Sequence, residues 1–218
     1  MEDLIEFFLK AGEVKRLKQR GLVLRGVKDP ATVGGHSFRT ALMAWALARA
    51  GNEGLDTSRL IKIILVHDLV GGYAGDLTPY EPLIWKTKEK DFKKMYTKWV
   101  RVPKREKERF AKQRRVKDAK ALQRLTRLLP KSLATEIKSL WTEYTQYLTR
   151  EGRFVHQIHM LENHLQSLEY WKKDKSFPIE SWWHEVKELI SDPTLIKFAQ
   201  ELDAKFHGYK PKEKNRAQ

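Results

Sequence analysis

The stretch ILVHDLVGGYAGD, residues 63–75, decides how the chain folds, because it ends an apolar run with a His-Asp pair and then meets two glycines. Adjacent residues on a helix point about 100° apart, so His67 and Asp68 reach one object only if it is small and close to the axis. A metal ion is such an object. The apolar run could also be a buried strand, but its length favours a helix.

Helical periodicity covers most of the chain and predicts an all-α fold. The length of 218 residues suits a single domain over residues 1–218. Either Asp56 or Thr57 can cap the helix that carries the His-Asp pair, and Gly71 and Gly72 are expected to break it. Apolar stripes predict helices over about 36–50, 58–69, 133–148, 154–168, 179–190 and 193–206, with a shorter one over 118–129, a loop over 22–35 and a disordered tail over 208–218.

The apolar side of the 36–50 helix is predicted to carry Phe38, Leu42, Trp45 and Ala46. The chain has no cysteine, which excludes disulfides and thiolate metal sites, so a transition metal must be held by His and carboxylate. No window is apolar enough for a membrane span, and the N-terminus is acidic where a signal peptide is basic. We therefore expect a cytoplasmic protein with no membrane partner.

Nearly all of the formal net charge of +15 lies in residues 86–131, which hold 19 Lys and Arg against 5 Asp and Glu. This basic insertion is expected to form two helices, the second opened by Pro103. It could be an ordinary solvated surface, a lid that attracts phosphate-bearing substrates, or a nucleic-acid site in which bases stack on aromatic side chains. The interleaved aromatic residues are Trp85, Phe92, Tyr96, Trp99 and Phe110.

Three histidines and one aspartate stand where a helical bundle could bring them together. They are His36 at the start of one predicted helix, His67 and Asp68 at the end of another, and His159 within a third. A lone histidine is usually a hydrogen-bonded, partly buried side chain. His67, however, follows IKIILV and would enter a core with few polar partners, where a buried polar group must be matched. A metal shared with Asp68 would match both residues.

The segments GGHSFRTALMAWALA (34–48) and LVHDLVGGYAGDLTP (65–79) together resemble the HD-domain metal-dependent phosphohydrolases, in particular their 5'-deoxynucleotidase branch. The resemblance extends over most of residues 13–172 apart from the basic insertion. It implies an HD-domain helical bundle with a basic helical insertion and one divalent transition metal (Zn, Fe, Co, Ni or Mn). It also implies metal ligands at His36, His67, Asp68 and His159, substrate contacts from Arg20, Asp76 and Thr78, and catalytic roles for Asp76 and Asp68.

Three positions depart from that family pattern, and each removes a carboxylate. Gly35 and Gly71 stand where the family usually has Glu, and His159 stands where it has a metal-binding Asp. The change at Gly71 matters most, because general acid or base help is typically worth about 10²–10⁴ in rate. Imidazole at His159 suits Zn, Fe, Co, Ni or Cu better than Mg or Mn.

The remaining polar candidates near the predicted site are less specific. His156 lies one turn before His159 and matches no ligand of the family. Glu162, one turn after His159, either orients that imidazole or is an ordinary surface acid. His164, His184 and His207 are expected at the surface.

These observations favour a metal-dependent phosphohydrolase acting on deoxynucleoside 5'-monophosphates or a similar small phosphomonoester. The alternative is a catalytically weakened or repurposed metal-binding HD-domain protein that binds nucleotide or nucleic acid, the latter through residues 86–131. An HD-type iron oxygenase is disfavoured, because it needs further histidines and residues 69–155 contain none. A homodimer is a further expectation.

Overall fold

A computed structural model describes residues 1–51, 54–84 and 102–207. In these ranges the chain is helical, without a named strand, and the all-α prediction is confirmed. One isolated antiparallel bridge joins Lys18 to Thr32. The helices are α1 (Glu2–Glu13), α2 (Arg20–Leu24), α3 (Val33–Gly51), α4 (Thr57–His67), α5 (Gly71–Ala74), α6 (Glu81–Ile84), α7 (Lys104–Thr126), α8 (Lys131–Gln146), α9 (Arg150–Lys173), α10 (Glu180–Leu189) and α11 (Pro193–His207).

Helix α9 forms the centre of the bundle and packs against α3, α4, α8, α10 and α11. Its apolar residues are distributed around the helix rather than along one narrow stripe, as expected for a helix with neighbours on several sides. The main core contains Ile63 and Ile64 of α4, Leu140 of α8, and Ile158 and Leu161 of α9. This packing holds the middle of α9 beside the end of α4, where the predicted ligands lie.

Most helix boundaries follow from local capping. The Asp56 side chain accepts a hydrogen bond from the backbone N–H of Arg59, so Asp56 is the cap that begins α4. Thr149 accepts one from the N–H of Gly152 and begins α9 in the same way. Pro103 is the N-cap of α7. The earlier part of the basic insertion, with Trp85 and three of its other aromatic residues, lies outside the described residues, as does the predicted tail.

The prediction for the buried side of α3 is wrong. Phe38, Leu42 and Trp45 are 73%, 52% and 54% exposed, and Ala46 is exposed as well. The side that packs against α4 and α9 carries smaller residues, including Thr40, Ala44 and Ala48. Small side chains allow neighbouring helices to approach closely, so α4 and α9 pack against this side of α3 rather than against the more apolar side.

Three local predictions also need correction. The segment 22–35 is not one loop, because it contains part of α2 and the start of α3 at Val33. Gly71 and Gly72 begin the short helix α5, and the chain turns instead at Gly75, whose φ is 75°. Residues 118–129 are not a separate helix: α7 continues from 104 to 126, since its Lys, Arg, Gln and Ala residues are good helix formers and no breaker interrupts them.

None of the helices in the described part of the chain is both long enough and apolar enough to cross a bilayer. The cytoplasmic location stays a prediction from the sequence.

Candidate metal centre

Four side chains from three helices converge beside the centre of α9. Each offers one donor atom, and these atoms all lie within 4.8 Å of one another. The residues are His36 in the first turn of α3, His67 at the end of α4, Asp68 directly after it, and His159 in the middle of α9. They are the four residues predicted as ligands, and the fold brings them together although up to 123 positions separate them.

The distances between the donor atoms suit a single transition-metal ion. The Nδ1 of His159 is 2.9 Å from the Nε2 of His36 and 3.3 Å from the Nε2 of His67. The Oδ2 of Asp68 is 3.0 Å from the Nε2 of His67 and 4.0 Å from that of His36. Two atoms bonded to one ion at about 2.1 Å lie no more than about 4.2 Å apart. These four distances meet this limit. All four donor atoms lie within 4.8 Å of one another, so any pair beyond about 4.2 Å has to close by no more than about 0.6 Å around one ion.

The outer nitrogens of two imidazoles face acceptors. The Nδ1 of His36 contacts the carboxylate of Glu162, and the Nδ1 of His67 is 2.5 Å from the carbonyl oxygen of Ile64. Both acceptors require a proton on Nδ1, so in the neutral ring each Nε2 keeps its lone pair for the shared centre. This is the pattern in which outer hydrogen bonds orient metal-binding histidines.

Glu162 supports a different histidine from the one expected. It was predicted either to orient His159 or to lie at the surface, but it is 1% exposed and bound to His36. The Nε of Arg39 also donates to Glu162, at 2.8 Å. Arg39 in turn contacts Glu169 and Gln166, so a polar network ties α3 to α9 behind the candidate centre.

The protonation preferences of His159 and Asp68 agree with metal binding. Burial, followed by the nearby His36, lowers the pKa of His159 well below its ordinary value, which keeps this imidazole neutral. Burial raises the pKa of Asp68, but the neighbouring imidazoles, His67 first, outweigh it and hold that pKa below its usual range. For His36, burial lowers the pKa, but the Glu162 carboxylate more than reverses this, so the raised pKa favours the charged ring and a bound metal has to displace the Nε2 proton. Neutral imidazole and ionised carboxylate are the forms that bind a cation.

A second carboxylate, Asp76, lies near the centre on the turn between α5 and α6. Its Oδ2 accepts a hydrogen bond from the backbone N–H of Arg20, at 2.7 Å. Burial, followed by the Asp68 carboxylate, raises the pKa of Asp76. The Arg20 side chain donates through Nε to the buried Glu81, at 3.0 Å, and is about one third exposed. The half-buried Thr78 accepts a bond from the backbone N–H of Tyr80.

Helix α7, from the basic insertion, holds this turn in place. Arg114 donates to the carbonyl oxygen of Leu77 and, through Nε, to Asp118 at 3.1 Å. Lys117 donates to the carbonyl oxygen of Ala74 at 3.0 Å. The positive charge of Arg114 also acts on Asp76. Sequence reasoning missed Arg114, because it is one of many cations in the insertion and only the fold distinguishes it.

The position of the missing Glu, Gly71, has little free space around it. A Cβ atom built there would lie 3.0 Å from the Cδ2 of Leu17. A longer side chain at this position would have to displace Leu17, which is the end of a flexible side chain.

The histidines outside the candidate metal centre differ in their burial and contacts. The Nε2 of His156 lies 3.2 Å from the hydroxyl of Tyr147, and burial lowers the pKa of His156 to about 4. The expectation that His164 lies at the surface is wrong, since it is 1% exposed and stacks on Trp183. His184 is exposed as expected, and the side chain of His207 lies outside the described part.

Comparisons with known proteins identify the family of this chain. The family described as "HD domain" matches residues 11–200. A 5'-deoxynucleotidase HDDC2 from Xenopus laevis is 31% identical over 174 residues, covering 80% of this chain and 72% of that protein. The one from Danio rerio is 30% identical and covers 95% of this chain and 82% of that protein. A solved structure described as "Predicted metal-dependent phosphohydrolase", from Magnetospirillum magnetotacticum, is 20% identical with a TM-score of 0.62, covering 95% of each chain.

Proposed function

Because the chain belongs to the HD domain family, we propose that it is a metal-dependent phosphohydrolase of deoxynucleoside 5'-monophosphates or similar small phosphomonoesters. The single observation that supports this most is the convergence of His36, His67, Asp68 and His159, in which the Nδ1 atoms of His36 and His67 face acceptors outside the centre. The names of the relatives at about 30% identity support the substrate class. The nitrogen-rich ligand set favours Zn, Fe, Co or Ni over Mg, with Mn less suited.

Each residue has a distinct task in the proposed reaction. The bound metal would supply Lewis-acid polarisation of the phosphoryl group. Asp76 uses Oδ2 to accept the Arg20 backbone N–H, so its other oxygen is the atom at which it takes or gives a proton. Glu81 accepts from the Nε of Arg20 and, at 3.5 Å, from its Nη2, and the N–H groups that these contacts leave bind phosphate oxygens. Thr78 contributes a further substrate contact from the same turn as Asp76.

The test is release of inorganic phosphate from a panel of deoxynucleoside and ribonucleoside 5'-monophosphates with Co²⁺, Zn²⁺, Mn²⁺ or Mg²⁺. We expect hydrolysis that requires a divalent metal and is lost in Asp68→Asn. Asp29→Asn is the matched control, because the Asp29 side chain is 96% exposed. Hydrolysis that is insensitive to Asp68→Asn, or no hydrolysis with any metal while metal is bound, contradicts the proposal.

One observation favours a second candidate, a weakened HD-domain protein that binds nucleotide without turnover. Gly71 removes the carboxylate that the resemblance assigns to proton transfer. The test is the double variant Gly71→Glu with Leu17→Ala, which clears the space that a Glu side chain needs. A large gain in phosphate release indicates that the native site is impaired, whereas no gain with metal bound indicates that Asp76 suffices or that the site serves binding.

The proposal includes nucleic acid as a partner of the basic insertion. In the described part, α7 exposes cations on its outer side, among them Arg109, Lys112 and Arg115. Phosphate contacts make affinity depend on salt, with a slope of about −0.7 per contact for single strands. Single-stranded DNA binding across a salt series should show a slope that Arg109→Ala with Arg115→Ala reduces and Lys197→Ala does not. A flat salt series contradicts this partner.

A second copy of the chain is also part of the proposal. Phe38, Leu42 and Trp45 form an exposed apolar row on α3, and contiguous exposed apolar surface is typical of interaction sites. Light scattering after size exclusion should give the mass of a dimer, and Trp45→Lys should give a monomer. A monomeric wild-type protein contradicts the homodimer.

A further inference from the structure

The two nitrogens of His159 face different surroundings. Its Nδ1 faces the Nε2 atoms of His36 and His67, whereas its Nε2 lies 3.1 Å from the amide nitrogen Nδ2 of Asn163. A neutral imidazole carries a proton on only one nitrogen. A proton on Nε2 leaves the Nδ1 lone pair for a cation, and a proton on Nδ1 removes it. Metal binding by His159 therefore depends on what its Nε2 contacts.

This requirement arises because position 159 holds histidine. The Nδ1 of histidine is as many bonds from Cα as a carboxylate oxygen of aspartate, so His159 reaches the centre through Nδ1 where an Asp would use Oδ. An ionised carboxylate has two equivalent oxygens and no tautomers, so either oxygen can bind the metal. An imidazole has to be held in the correct one, usually by a hydrogen bond from its other N–H.

Two amides are in position to do this. Asn163, one turn after His159, places its Nδ2 beside this Nε2, and its Oδ1 accepts a hydrogen bond from the Nε2 of Gln19 at 3.0 Å. Rotation of an amide by 180° exchanges its oxygen and nitrogen with almost no change in shape, so the network decides the orientation. With both amides rotated by 180° from the arrangement in the structure, the Oδ1 of Asn163 accepts Nε2–H from His159, and the Nδ2 of Asn163 donates to the Oε1 of Gln19.

The environment of Gln19 permits this orientation. Gln19 is 8% exposed, and its amide oxygen Oε1, which does not face Asn163, is buried without a hydrogen-bond partner. Rotating the Gln19 amide therefore breaks no other bond, and its orientation follows Asn163.

We propose that Asn163 and Gln19 form an amide relay that holds His159 as its Nε2–H tautomer, so that His159 binds the metal through Nδ1. His159 donates to Asn163, and Asn163 donates to Gln19. Both amides are positioning residues, since neither contacts the metal. This inference rests on the metal site of the proposed function, and it adds two residues that the ligand set alone does not include.

The first test measures Zn²⁺ affinity by competition with a chromophoric chelator. Asn163→Leu removes the acceptor and should weaken Zn²⁺ binding about 10–100-fold, as for other partners of metal-binding histidines. Asn163→Asp offers only acceptor atoms and should bind Zn²⁺ at least as tightly as wild type. Gln19→Leu should cause a smaller loss than Asn163→Leu. Gln200→Leu, at an exposed site on α11, is the control for an amide-to-Leu change and should have no effect.

The second test needs no substitution. Long-range ¹⁵N–¹H correlation of the Zn²⁺-loaded wild-type protein should show the His159 proton on Nε2 and the metal on Nδ1. A metal on Nε2 overturns the relay, as does an Asn163→Asp variant weakened as much as Asn163→Leu, or an Asn163→Leu variant that binds Zn²⁺ like wild type. Thermal unfolding of each metal-free variant separates misfolding from lost affinity.

The outcomes also separate this inference from the proposed function. If Zn²⁺ binds and His67→Ala abolishes binding, the metal site stands, and indifference to both Asn163 variants overturns the relay alone. If wild type binds no Zn²⁺, Co²⁺ or Mn²⁺, the metal site and the relay fail together.

Discussion

Replacing Glu162 by Gln tests how far the network behind the candidate metal centre controls metal binding. The buried carboxylate accepts from the Nδ1 of His36 and from the Nε of Arg39. A Gln side chain has one acceptor oxygen and must turn its NH₂ group toward one of these two donors. The variant therefore loses one charge-assisted hydrogen bond, and the proton on the Nδ1 of His36 is fixed less firmly.

The size of the effect follows from what remains around Arg39. Breaking a buried ion pair typically costs about 3–5 kcal/mol, because a buried charge is left without compensation. Arg39 keeps Glu169 at 2.7 Å and Gln166 at 3.0 Å, so its charge stays paired. We therefore expect the smaller loss of a hydrogen bond to a charged group, about 1.5–3 kcal/mol in the free energy of unfolding. Metal affinity should fall about 10–100-fold.

Urea unfolding of the metal-free protein and metal competition measure the two effects separately. Glu169→Gln is the matched control: Glu169 binds the same Arg39 from the same helix, but its side chain is 44% exposed and touches no proposed ligand. We expect that control to change stability by less than about 1 kcal/mol and to leave metal affinity unchanged. Equal effects of the two substitutions, or a Glu162→Gln metal affinity within about twofold of wild type, would refute the reasoning.

Three further predictions concern stability. Burial raises the pKa of the Asp76 carboxyl in the folded protein above its usual 3.8, so ionisation of this group at higher pH destabilises the fold. Asp76→Asn should therefore raise the urea midpoint of the metal-free protein at pH 7 but not at pH 3.5. A lower midpoint at pH 7 contradicts this. A Cβ on Gly152 would lie 2.5 Å from the Glu143 carbonyl oxygen, so Gly152→Ala should lower the free energy of unfolding by about 1–3 kcal/mol, unlike Gly12→Ala, where nothing lies within 4 Å. Metal at about 100 times its dissociation constant should add about 2.7 kcal/mol of stability, which a chelator removes; a gain that persists in His67→Ala would point to another site.

The sequence alone predicted the features that depend on local pattern. Helical periodicity and capping placed most helices within a few residues of their observed ends, and Asp56 is one of the two caps expected for α4. The order and spacing of His36, His67, Asp68 and His159, through resemblance to a family, predicted which side chains the fold would bring together. Such features can be predicted from a sequence because they depend on neighbouring residues or on fixed motifs.

Tertiary structure decided which partner each of these groups found. Glu162 supports His36 rather than His159, and the amide of Gln19 reaches Asn163 across 144 positions. Periodicity showed that α3 has apolar residues but not which side would be buried. The buried side is the one with small side chains, because α4 and α9 approach closely there. Hydrogen-bond partners and buried faces are set by contacts between distant segments, and these contacts exist only once the helices pack.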